Sequence, residues 1–275
     1  AVLEPLLAES MPEISNNGLT YKIKIKKNIL YHPDPCFKGK KRYLKSIDFI
    51  NQIKRLAFTP VRSRGFWIFE NKLIGYNKFR ELAGNSFDKF KHLNIEGLIA
   101  PDDHTLIINL KEPYPQLLYV LAMSFSSPIP MEAIEFYNNQ LDSNTVGTGP
   151  FYLEKWIKLS KVKLRKFSNY REEKFPSQGD RTANDLDLLK DAGKKIPFLN
   201  GVTFNIIKEE QTRWLNFLSN KIDLLQIPKD NYSQAIDHTG NLTNTLKDKK
   251  IKLMTSPTKT YWWLAFNMND PLLGK

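Results

Sequence analysis

Residues 19–26 alternate in polarity, with Tyr21, Ile23 and Ile25 on one side and Lys22, Lys24 and Lys26 on the other. A period of two predicts a half-buried strand with a solvated lysine face. Residues 105–110 repeat the pattern, with Leu106, Ile108 and Leu110 sharing a side. Between them, Phe49, Ile50, Ile53, Leu56 and Ala57 recur at helical spacing behind Ser46 and ahead of Pro60. That reads as a helix capped by Ser46 and ended by the proline. His32-Pro33-Asp34-Pro35 is a turn, because two prolines in four residues cannot continue a ladder. Short helices are expected over 115–123 and 132–137. A strand pair is expected over 151–156 and 161–167, and a further strand over 202–207. Trp214, Phe217 and Leu218 then mark a helical face. Residues 168–200, rich in charge, proline and glycine, read as a long irregular excursion. Residues 223–226 are short and extended, and 251–255 and 261–267 are expected as the last two strands. The elements define a mixed α/β fold. Pro128-Ile129-Pro130 is the strongest break in the chain and predicts two domains, 1–129 and 130–275.

With 275 residues and 41% hydrophobic content, including 17 Phe, the chain can bury a sizeable core. No apolar run approaches the roughly 18 residues of a membrane-spanning helix. A single cysteine, Cys36, excludes an internal disulfide and a cysteine-based metal site, leaving a partly buried free thiol. The net charge of +12 is compatible with nucleic acid or an anionic membrane surface as partner. The lysines are spread along the chain, however, which favours solvated faces over a nucleic-acid surface.

Catalytic and metal patterns are lacking. The four histidines, His32, His92, His104 and His238, have no i, i+4 pairing. Asp102-Asp103-His104 reads as a turn ahead of a strand, since consecutive residues on an extended chain face opposite ways. No Gly-x-Ser-x-Gly elbow, phosphate loop or Gly-x-Gly-x-x-Gly occurs. The sequence therefore points away from an enzyme and away from any cofactor. Aromatic clusters stand out instead. Phe66-Trp67 follows Gly65 in a loop, and Tyr261-Trp262-Trp263 opens the last expected strand. Alternation there places Tyr261 and Trp263 on one face and Trp262 on the other, with at least one of them in the core. Trp156 and Trp214 read as ordinary core residues.

Val146-Gly147-Thr148-Gly149-Pro150 is a tight glycine turn that runs into the aromatic strand Phe151-Tyr152-Leu153-Glu154-Lys155-Trp156. Together with Leu7-Ala8-Glu9-Ser10, Gly18-Leu19-Thr20-Tyr21, Ser46-Ile47-Asp48-Phe49, Asp102-Asp103-His104-Thr105-Leu106, Lys221-Ile222-Asp223-Leu224 and Phe266-Asn267, it resembles the extracellular solute-binding protein family 5. These are peptide-, dipeptide- and nickel-binding receptors of bacterial ABC importers, and the resemblance runs from Leu7 to Asn267. It implies a periplasmic-binding-protein-like type II lobe (130–275) behind an accessory lobe (1–129), forming one jaw of a two-lobe clamp. Family members extend further at both ends, so the resemblance implies an excised piece lacking the closing lobe. It implies ligand contacts at Phe66, Trp67, Thr148, Tyr261, Trp262 and Trp263, and an oligopeptide as ligand. A nickel chelate, a sugar, an antibiotic or a chaperone role stays open. It further implies a monomer that docks on ABC permease subunits and binds no nucleic acid. Its place would be the periplasm or the outer face of the cytoplasmic membrane, either free or lipid-tethered.

Overall fold

The alternation at 19–26 becomes strand β2 (Thr20–Lys24), following the short β1 (Glu13–Ser15). The computed structural model describes residues 3–256 and 260–274. β2 pairs antiparallel with β4 (Thr105–Asn109), which pairs with β3 (Leu98–Asp102), so the sheet order is β1-β2-β4-β3. Tyr21 lies opposite Ile108 and Ile23 opposite Leu106, and all four are buried. The lysines on the other face are tied locally: Lys22 to Glu13, Lys24 to the Thr105 hydroxyl, and Lys26 to the Leu6 carbonyl. Asp102 accepts hydrogen bonds from the His104 N–H and the Thr105 hydroxyl, so Asp-Asp-His is the β3–β4 turn.

Helix α1 (Ser46–Ala57) lays Ile50, Ile53, Leu56 and Ala57 on the core side, as its spacing predicts. Ser46 differs from expectation. It is the first helical residue and donates its hydroxyl to the Asp102 carbonyl at 2.5 Å, while the Asp48 carboxylate accepts the Lys45 N–H at 2.9 Å. A carboxylate in the first turn suits the positive end of the helix dipole. Helices α2 (Tyr76–Ala83) and α3 (Phe87–His92) add Tyr76, Phe79 and Phe90 to the same core. Lys54 of α1 is buried with its ammonium 5.5 Å from the Phe79 ring and 5.2 Å from the Phe90 ring. It donates to the Lys91 carbonyl near the end of α3. Burial lowers its pKa to about 8.

Helices α4 (Leu117–Leu121) and α5 (Met131–Phe136) complete this core with Leu117, Val120, Ala133 and Ile134. The chain does not divide at Pro128–Pro130. There Ile129 donates its N–H to the Asp48 carbonyl at 3.0 Å, and Arg55 bonds Asn139 beyond α5, so both sides of the break share one interior. The two prolines turn the chain without ending a domain. Compact units instead divide after Asn205, into Ala1–Asn205 and Ile206–Lys275.

A second antiparallel sheet, β5-β6-β7 (Phe151–Ile157, Lys161–Lys166, Gly201–Asn205), ends the first unit. One face carries the cross-strand rows Leu153·Leu164·Val202 and Trp156·Val162·Phe204. Trp156 is 43% exposed and is therefore not the core residue its strand position suggests. Between β6 and β7 the excursion is irregular apart from the short helix α6 (Arg181–Asp185). In the second unit, α7 (Glu210–Leu218), α8 (Tyr232–Ala235) and α9 (Asn244–Asp248) enclose Trp214, whose indole N–H donates to Gln234. Neither of the last two expected strands forms a ladder among the described residues, where 251–256 and 260–267 have no strand partner. Residues 257–259, between them, lie outside the described residues.

Candidate ligand-binding site

The glycine turn is clasped by several groups of the first unit. His32 donates its backbone N–H to the Gly147 carbonyl and its Nε2–H to the Gly149 carbonyl, both at 2.8 Å. A carbonyl only accepts, so the neutral imidazole carries its proton on Nε2. Arg171 donates Nη1 to the Thr148 carbonyl at 3.1 Å, and Phe167 donates its N–H to the Pro150 carbonyl at 2.9 Å. Four consecutive carbonyls are thus tied back into the protein. The ring of His32 packs edge-on against Phe167 at 4.9 Å. Arg171 is held by an ion pair to Glu173 at 2.9 Å and lies over the Tyr170 ring at 4.6 Å.

Neither backbone conformation nor crowding demands the two glycines of this turn. Neither has a left-handed φ, and a Cβ on Gly147 would meet His32 only at 3.7 Å. His32 was invisible as a partner from the sequence, since 117 residues separate it from Gly149.

Burial lowers the His32 pKa, with the Gly149 hydrogen bond opposing that effect. A depressed histidine contributes stability that is present above the unfolded value of about 6.5 and lost as pH falls through the folded value. His32→Gln keeps an N–H donor and removes the titration. Its urea midpoint should lie below that of the parent at pH 7.5, and the gap should narrow by pH 5. A gap that stays constant between the two pH values would exclude a buried neutral His32.

Phe66 and Trp67 open a single turn of 3-10 helix after Gly65, where a Cβ would strike the Phe125 ring at 2.6 Å. Phe66 stacks on Tyr76 at 5.3 Å and lies 4.2 Å from the Arg80 guanidinium, so its ring is engaged within the protein. Trp67 is exposed beside it. No hydrogen bond or ring contact joins this pair to Thr148 among the described residues.

Tyr261, Trp262 and Trp263 belong to the second unit and are 76%, 93% and 75% exposed. The rings of Tyr261 and Trp263 lie 5.6 Å apart, as alternation predicts. The expectation that one of the three is core fails, because a strand without a ladder has no buried face.

A family model for bacterial extracellular solute-binding proteins, family 5 Middle, matches residues 2–275. The chain belongs to this family. Curated family 5 relatives include the dipeptide-binding protein of Escherichia coli (strain K12), 23% identical over 273 residues, with 96% of this chain and 42% of that protein covered. The glutathione-binding protein GsiB of Shigella flexneri is 23% identical over 271 residues, covering 98% of this chain and 40% of that protein. This family 5 chain therefore spans about two-fifths of the length of the curated relatives it matches.

The solved structures agree on the fold. The periplasmic binding protein DppA from Helicobacter pylori, in complex with the peptide STSA, superposes with a TM-score of 0.60 at 22% identity, covering 84% of this chain and 40% of that one. A periplasmic oligopeptide-binding protein from Borrelia burgdorferi gives 0.60 at 21%, covering 83% and 39%. The mixed α/β architecture expected from the sequence is thus that of periplasmic binding proteins, and the relatives are named for binding, not for catalysis.

Proposed function

We propose that this chain is part of a receptor that captures oligopeptides outside the cytoplasmic membrane and delivers them to an ABC importer. Family 5 membership over residues 2–275 carries the reading, and the exposed Tyr261-Trp262-Trp263 run supplies a surface for it. The named ligands of relatives, a dipeptide, glutathione and the peptide STSA, are all peptides or peptide-like. In this reading the chain forms an accessory lobe and one jaw, and a ligand arriving between jaws shifts the population toward a closed state. Main-chain hydrogen bonds supply affinity for an extended peptide, and hydrated pockets accept varied side chains. The large rings add apolar contact at little entropic cost. The partners are the permease subunits, whose ATPases provide the energy. Thr148, Trp67 and the three aromatics are the ligand-facing residues, with Phe66 behind Trp67.

Mass spectrometry of what the protein releases on denaturation tests the class. A mixture of short peptides is expected. A single sugar, antibiotic or nickel chelate would keep the clamp and overturn the peptide assignment. Trp262→Ala should weaken binding of a mixed tetrapeptide pool about ten- to a hundredfold. Its thermal midpoint should not change, since a side chain 93% exposed supports little of the fold. Unchanged affinity would remove Trp262 from the site.

A further inference from the structure

The β5–β6 hairpin combines three properties that ordinary solvated hairpins keep apart. Its residues 151–166 hold six cations against the single carboxylate Glu154, so +5 of the chain's +12 sits on one hairpin. Lys163 and Arg165 both pair with Glu154 at 2.9 Å, and Lys166 bonds the Pro197 carbonyl. Lys155, Lys158 and Lys161, around the tip, have no ion pair or side-chain hydrogen bond among the described residues.

The tip is also apolar. Ile157 and Leu159 are 40% and 67% exposed, next to Trp156. Leu159 stands at the third position of the turn closed by the Ser160 N–H on the Ile157 carbonyl, with φ +59°. That conformation is rare for a leucine and ordinary for glycine or asparagine. The tip thus keeps a large aliphatic side chain where backbone conformation and water both disfavour it.

We infer that this hairpin tip docks on an anionic phospholipid surface, with Trp156, Ile157 and Leu159 entering the headgroup boundary and Lys155, Lys158 and Lys161 meeting the lipid phosphates. Exposed tryptophan and aliphatic residues ringed by lysine match the chemistry of the membrane interface. An acidic protein is the poorer fit, because protein interfaces favour arginine and are depleted in lysine, and five of these six cations are lysines. A nucleic acid would leave the leucine and isoleucine without a partner. The contact would hold an extracellular receptor against the membrane in which its permease lies, independently of which solute it carries.

The test is flotation of the 275-residue chain with vesicles of phosphatidylglycerol and phosphatidylcholine. Binding should require the anionic lipid and weaken in 0.5 M salt. Lys155→Gln, Lys158→Gln and Lys161→Gln together should lower it about a hundredfold. Lys27, Lys40 and Lys41, exposed and equal in charge, serve as the control triple to glutamine and should leave most binding intact. Leu159→Asn suits the turn, so it should raise or preserve the thermal midpoint while lowering vesicle affinity about tenfold. Equal loss in both triples, equal binding to neutral vesicles, unaltered affinity in Leu159→Asn, or displacement by a DNA duplex would each overturn the assignment.

Discussion

Replacing Arg42 by methionine should cost the fold about 3 to 5 kcal/mol, read as a fall in the urea midpoint at pH 7. Arg42 bonds Asp48 through two nitrogens, at 2.7 and 3.1 Å, and Glu132 at 2.8 Å. The Asp48 side chain is 0% exposed and also accepts the Tyr31 hydroxyl. Burial pushes the Asp48 carboxyl up, while Arg42, the Lys45 N–H and Tyr31 pull it back toward ionisation. Burial opposes charge on Glu132 too, but the Arg42 hydrogen bond, a backbone N–H and the nearby charges of Arg42 and Lys45 together outweigh it and hold its carboxyl below the usual range. Without the guanidinium, Asp48 is left as a buried carboxylate with no cation, which is far costlier than never having had the pair. Adding Asp48→Leu to Arg42→Met should therefore recover part of the loss. A single variant within 1 kcal/mol of the parent would show that the pair holds nothing together.

Phe90→Ala is expected to be about as damaging, at 3 to 5 kcal/mol by thermal unfolding. Phe90 is fully buried, with the rings of Phe58, Phe87 and Phe79 at 4.8, 5.6 and 6.3 Å. Three elements meet there: the end of α1, α2 and α3. The ring also forms one side of the cage around the Lys54 ammonium, so truncation removes both packing and a cation–π contact. Phe90→Leu keeps most of the volume and should lose less than half as much. Equal losses from the two variants would mean that the aromatic face matters and the volume does not.

The parts of this fold that the sequence discloses are those with local periodicity. Tyr21, Ile23 and Ile25 report their strand because each residue's face is set by its immediate neighbours, and Ile50, Ile53 and Leu56 report α1 in the same way. Contacts between distant residues left no such trace. Arg42 meets Glu132 across 90 residues, and nothing near either one names the other. The His32 clasp is hidden for the same reason. Prolines misled at 128–130 because they mark a change of direction, which a core strap needs as much as a linker does. The last two expected strands do not form among the described residues, because the alternation of 251–255 and 261–267 supplies no hydrogen-bonding partner. Of the proposed ligand contacts, the sequence located the aromatic runs but not their surroundings. Phe66 packs against Tyr76 and the Arg80 guanidinium, and Trp67 is the ring left facing water.

The run from Tyr261 to Asn267, which has no strand partner among the described residues, contains no charge and no proline. An extended segment of that composition without a strand partner is adhesive toward copies of itself. Concentrated solutions of the chain will therefore drift toward self-association through this run. A dimer seen at high protein concentration would then measure stickiness of this segment, and it would be poor ground for assigning the protein a quaternary structure.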